Sequence, residues 1–197
     1  MELLKDQYGF RPTGSTCCAM VDFIHHSTLM LENNSYIRCL FIDFSKAFDV
    51  GRHSILLSKI SSLNIPPMAL KTPDGRFSDP QPITSSIVQG SGIGPTLWLI
   101  MDSDLQPLSD ANVIFKYADD TNLLVPLVPE NTDCNLAAEF SNIKRWADTN
   151  GLIINLDKTK ELVLHRPHVT RHNLPQSLTG IEQVTTIRLL VSYFKVV

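Results

Sequence analysis

Apolar side chains recur at steps of four and three through Cys17, Val21, Ile24, Thr28 and Leu31. That spacing marks one face of a helix and predicts a helix over "STCCAMVDFIHHSTLMLENN", with Ser15 or Thr16 as its N-cap. "YIRCLFIDF" follows with Arg38 as its only charge before Asp43, the pattern of a strand covered on both faces, and Asp43 falls at its end. A turn then leads into a helix with Ile55, Leu56, Ile60 and Leu63 on its apolar face, stopped by Pro66 and Pro67. Residues 71 to 88 mix Pro, Asp-Gly and Ser and predict loops around at most one short edge strand. Three glycines and Pro95 open a helix expected to run through Leu105. "NVIFKYADDTNLLVPL" holds two apolar runs joined at Asp119-Asp120, which predicts a hairpin with the acids at or beside its tip. Leu136, Phe140, Ile143 and Trp146 or Ala147 predict a helix that begins near Thr132 or Asp133 and ends on a left-handed cap at Asn150-Gly151. "LIINL" and "KELVLHR" read as two strands around Asp157-Lys158, and the tail from Pro167 offers a weak strand signal near its end.

With 197 residues, 43% of them hydrophobic, the chain is long enough to bury one real core. The formal net charge of −3 means that any basic surface for a polyanion must be local. Cys17, Cys18, Cys39 and Cys134 show no paired spacing for zinc or a disulfide framework, and the start has no signal-peptide pattern. These features fit an intracellular protein, in nucleus or cytoplasm, that is not secreted. No stretch approaches the length needed to span a bilayer. His165, His168 and His172 form an H-x2-H-x3-H series, but without a helix or further ligands they read as exposed loop histidines.

Two adjacent aspartates between apolar strands repel each other and resist desolvation unless a cation joins them. If the strand ending at Asp43 lies beside the hairpin, three carboxylates meet at one sheet edge and could hold hard divalent ions through oxygen. Two such ions would suit in-line phosphoryl transfer. Local signals fit a plainer account equally well, in which Asp-Asp is a turn dipeptide and Asp43 a helix N-cap.

The order of several motifs separates these readings. "QYGFRPTGST" (7 to 16), "FIDFSKAFDVGRHSILL" (41 to 57), "VQGSGIGPTL" (88 to 97), "KYADDTNLL" (116 to 124) and "NGLIINLDKTKELV" (150 to 163) together resemble the reverse transcriptases of non-LTR, LINE-type retrotransposons. The resemblance implies an α+β polymerase palm, an antiparallel sheet packed on helices in the RRM or ferredoxin-like manner. It divides the chain into a partial fingers segment and helix over 1–35, the palm over 36–166, and the end of the palm with a loose tail over 167–197, the thumb being absent.

The same resemblance assigns roles. Asp43 and Asp119 would bind two Mg2+ ions, with Mn2+ as the alternative, and Asp120 would support them. Lys158 would neutralise or protonate the departing pyrophosphate. Phe48, five positions after Asp43, would lie against the sugar of the incoming nucleotide, where a 2′-hydroxyl would clash; by burial alone it reads as a core aromatic. Gln89 and Gly90 would lie near the nucleotide and templating base. Arg11 would contact phosphate or template, a surface carboxylate being the other partner open to it. Trp98 and Trp146 read as core. The implied partners are an RNA template, a DNA primer, deoxynucleoside triphosphates and the missing fingers and thumb segments of a longer polyprotein, with no membrane. The implied activity is that of an RNA-directed DNA polymerase domain fragment. Its alternative is a catalytically inactive remnant or a palm that binds nucleic acid or protein without turnover. A magnesium-dependent hydrolase would account for the acids but not for Phe48 and Gln89 in this order. The chain departs from the family pattern in a shorter segment between "NIPPMAL" and "KTPDGRF" and in Gly51, where a larger residue is usual.

Overall fold

The computed structural model describes residues 6–63, 85–127, 135–166, 174–190 and 192–195. The long loop expected over 71 to 88 lies mostly outside these residues, as do Pro66, Pro67, Cys134, His168 and His172.

Five strands form one sheet in the order β2-β3-β1-β4-β5. Strand β1 (Tyr36–Ile42) lies at its centre, antiparallel to both β3 (Asp120–Pro126) and β4 (Lys160–His165). Strand β2 (Val113–Tyr117) pairs antiparallel with β3, and β5 (Glu182–Val184) extends the other edge in parallel with β4. Between β1 and β2 the described residues include the short α2 (Ala47–Val50), α3 (His53–Ser62) and α4 (Gly94–Asp102). Helix α5 (Leu136–Asn150) separates β3 from β4. Strands β1 to β4 thus follow the split β-α-β-β-α-β plan, which brings β1 and β3 together at the centre. Strands β6 (Thr186–Leu189) and β7 (Ser192–Lys195) form a separate hairpin.

Both faces of the sheet are covered. Leu40 and Ile42 of β1 join Leu123, Val125, Trp98, Phe140 and Ile143 in a core beneath α4 and α5, while Ile37, Cys39 and Phe41 face Phe23, Phe115 and Leu124 on the side of α1 (Thr16–Asn33). Ser15 caps α1 by accepting from the Cys18 N–H at 3.1 Å. The face α1 buries is not the expected one. Ala19, Phe23 and Ser27 point inward, and Cys17, Val21, Ile24 and Thr28 are exposed, with Leu31 partly covered. At 100° per residue the buried face is rotated by roughly a third of a turn from the predicted stripe. Aromatic packing decides the matter: Phe23 sits 5.8 Å from Phe115 and 6.1 Å from Phe41, ring to ring.

Three further boundaries differ from expectation. Helix α4 stops at Asp102, short of Leu105. Helix α5 starts at Leu136, because the Asn135 side chain caps it by accepting from Ala137 and Ala138 N–H. "LIINL" is no strand. It crosses the end of β1, makes a single bridge from Ile154 to Phe44, and turns back where Asn155 accepts from the Lys158 N–H. β4 therefore pairs with β1 rather than with this segment.

Candidate active site

The register of the central strands brings the acids together. Ile42 pairs with Thr121, so Asp43 lies one step further on, opposite Asp120. Tyr117 pairs with Asp120, which leaves Ala118 and Asp119 as the two-residue tip between β2 and β3. Ala118 has φ 56°, a left-handed conformation that costs an L-residue about 1–2 kcal/mol. Trp98, 1% exposed, helps to hold it: its indole N–H donates to the Ala118 carbonyl at 2.8 Å.

The segment after α5 completes the other side. Gly151 ends α5 at φ 71°, as expected of its left-handed cap, and the chain then runs past the end of β1. The Ser45 N–H donates to the Ile153 carbonyl at 2.7 Å, and the Asn155 N–H to the Asp43 carbonyl at 2.8 Å. Thr159 donates its hydroxyl to the Asn155 carbonyl and accepts from the Asp43 N–H. This folded turn brings Lys158 Nζ to 3.8 Å from Asp43 Oδ1. Lys158 is 70% exposed, so the pair contributes little to stability and leaves the ammonium free to move.

The tip is electrostatically loaded. Partial burial, followed by the negative fields of Asp119 and Asp43, raises the pKa of Asp120 above the usual carboxylate range, although the residue as a whole is exposed. A divalent cation would relieve that repulsion. Among the described residues no three acidic, His or Cys side chains form a ready-made cage. The donor set suits an ion of another kind, one that keeps waters and is held by one or two carboxylates plus the phosphates of a substrate, as Mg2+ commonly is.

A concavity of about 470 Å³ has a lining that includes Phe10, Phe48, Val88, Gln89, Gly90 and Pro95 but none of the three aspartates; Trp98, which touches Phe48, links it to the tip. Phe48 lies on the Trp98 ring at 4.9 Å, with the edge of Phe10 at 6.4 Å. The Gln89 amide donates to Asp49 Oδ1 at 3.4 Å. Gly90 adopts φ 78° with open space where a Cβ would stand, so the turn's conformation, not crowding, requires glycine there. Arg11 lies apart from this lining and donates to the Gln7 carbonyl at 3.1 Å. His165 approaches the Arg166 carbonyl and the edge of the Tyr36 ring. Trp98 is core, as read from the sequence. Trp146 is half-buried, donating to Asp104 at 2.8 Å with Lys59 over its ring.

Two roles escaped sequence reasoning. The anchoring of the tip by Trp98 is one. The other belongs to Gln7, 1% exposed, whose side chain reaches the Ala118 backbone. The only signal for Gln7 was its place at the head of the "QYGF" block.

A ferredoxin-like sheet with paired acids at the end of its central strands is consistent with a polymerase palm. The family model for reverse transcriptase (RNA-dependent DNA polymerase) matches residues 1–190, and the chain belongs to that family. Its relatives include the RNA-directed DNA polymerase from mobile element jockey of Drosophila melanogaster, 28% identical over 78% of this chain, and the corresponding jockey polymerase of Drosophila funebris, 30% identical over 78%. A probable RNA-directed DNA polymerase from transposon BS of Drosophila melanogaster is 29% identical. The chain spans 19% of the length of each of these relatives. The resemblance to retrotransposon polymerases read from the five blocks is borne out at this level. Among solved structures, telomerase from Candida albicans superposes with a TM-score of 0.58 over 100% of this chain and 34% of its own, at 12% identity. Telomerase from Candida tropicalis gives 0.55 over 82% and 31%, also at 12%. At such identity the likeness speaks for the fold alone. No helix among the described residues is long and apolar enough to cross a membrane.

Proposed function

We propose that this chain carries the nucleotidyl-transfer centre of an RNA-directed DNA polymerase, copying an RNA template by adding deoxynucleotides to a DNA primer. The observation that carries the reading is the meeting of Asp43 with Asp119 and Asp120 at one end of the sheet, with Lys158 3.8 Å from Asp43. Asp43 and Asp119 would hold two Mg2+ ions, with Mn2+ as a substitute and Asp120 in support. When bound, these ions lower the pKa of the attacking hydroxyl and neutralise charge on the phosphate oxygens. The primer 3′-hydroxyl gives up its proton to solvent, its oxygen forms a bond to the α-phosphorus as the bond from that phosphorus to the oxygen bridging to the β-phosphate breaks, and pyrophosphate leaves. Lys158, largely exposed, supplies positive charge or a proton to that leaving group. Phe48 forms a wall for the sugar, and the Gln89-Gly90 turn faces the base and phosphates.

Primer extension on an RNA template tests the reading. The chain should incorporate nucleotide only with Mg2+ or Mn2+, and Asp119→Asn should abolish incorporation. Equal rates in the variant would overturn the assignment. RNA binding with no incorporation by the wild-type chain would favour a palm that binds without turnover.

A further inference from the structure

The tip that carries Asp119 is held by a residue more than a hundred positions away in sequence. Segment 6–8 runs along β2: the Lys116 N–H donates to the Asp6 carbonyl and the Tyr8 N–H to the Lys116 carbonyl, each at 2.8 Å. This places the Gln7 carboxamide under the turn. Its Oε1 accepts from the Ala118 N–H at 3.0 Å and from the Gly9 N–H at 2.8 Å. Its Nε2 donates to the Ala118 carbonyl at 3.2 Å and to Asp102 Oδ2 at 3.3 Å. Both backbone groups of the left-handed residue before Asp119 are therefore read by one buried amide. Gly9 closes the contact, since a Cβ there would meet the Ala118 nitrogen at 2.3 Å.

We infer that Gln7 is a positioning residue for Asp119, whose side chain locks Ala118 in its left-handed conformation and so fixes the direction in which the hairpin presents the carboxylate. The inference rests on the proposed polymerase reading for its catalytic consequence, but not for its structural one. The chemistry demands an amide. A carboxylate at position 7 could accept from Ala118 but not donate to its carbonyl, and would face Asp102. A methionine of similar shape could not donate and would accept only weakly through its sulfur.

The test compares Gln7→Met, Gln7→Glu and Gly9→Ala with wild type by amide hydrogen exchange and by single-nucleotide incorporation. In Gln7→Met the Ala118 amide should exchange about ten-fold faster or more, the effect of one lost hydrogen bond, while Leu123 and Leu124 in β3 keep their protection. The turnover number should fall by about ten- to a hundred-fold, as small misplacements of reacting groups do. The half-saturating Mg2+ concentration should rise, and KM for the nucleotide should stay within about two-fold. Gln7→Glu, keeping the acceptor, should fall between wild type and Gln7→Met in Ala118 protection. Unchanged Ala118 exchange in Gln7→Met, or a loss expressed in KM alone, would overturn the inference. If Gln7→Met accelerates every amide alike, Gly9→Ala decides: selective exposure of Ala118 sustains the clamp, and its absence refutes it. A wild-type chain without incorporation would defeat the polymerase reading, leaving exchange at Ala118 to judge the clamp by itself.

Discussion

Asp102 ends α4 beneath the hairpin tip, 2% exposed, with one carboxylate oxygen lacking any hydrogen-bond partner. Burial raises its pKa from the ordinary 3.8 to about 7, opposed by Lys116 and reinforced by Asp6. Between these values the folded protein keeps a proton that the unfolded chain has released. Stability from this group is therefore fully present below pH 3.8 and is lost as pH rises through about 7. Roughly three decades at about 1.36 kcal/mol each make about 4 kcal/mol, and about 2 kcal/mol of it falls between pH 5.5 and 7. Asp102→Asn cannot ionise, and it leaves Lys116 paired with Asp6 at 3.0 Å. Urea unfolding of both proteins at intervals from pH 5.5 to 8 measures the effect. The stability of the variant relative to wild type should improve by about 2 kcal/mol across that range. Curves that stay parallel within about 0.5 kcal/mol, the usual error of such differences, would refute the argument and mean that Asp102 is ionised throughout.

Two further outcomes follow from named contacts. Glu161, fully buried, accepts from Arg38 Nε at 2.7 Å and from the Leu178 N–H at 2.9 Å, so Glu161→Ala should cost about 3 kcal/mol in chemical denaturation by stranding both donors; a loss below about 1 kcal/mol would contradict this. Phe48→Val should open the sugar wall, raising ribonucleotide incorporation relative to deoxyribonucleotide by about ten-fold or more, and an unchanged ratio measured by competing the two substrates would place the sugar elsewhere.

Much of the site was legible because its signals are local. The apolar runs on either side of Asp119-Asp120 predict a hairpin whatever surrounds it, and Asp43 follows directly on a run that only a central strand would contain. The features that were misread depend on distant partners. α1 is apolar on more than one side, so periodicity could not choose between Val21 and Phe23; the rings of Phe41 and Phe115 made the choice. "LIINL" has the composition of a strand but is used as a strap across the end of β1, because the Asp43 carbonyl needs the Asn155 N–H. β5 carries too short an apolar run to announce its parallel pairing. Gln7 looks like any polar loop residue until the fold encloses it.

Trp98 presents its ring to Phe48 and its N–H to the Ala118 carbonyl, so one rigid indole bridges the wall of the concavity and the turn before Asp119. On the proposed reading, choice of sugar and speed of chemistry would be mechanically joined. A replacement at position 48 that lets the indole tilt would also loosen its grip on the tip, and relaxed selectivity would come with slower turnover unless the ring at 98 stays seated.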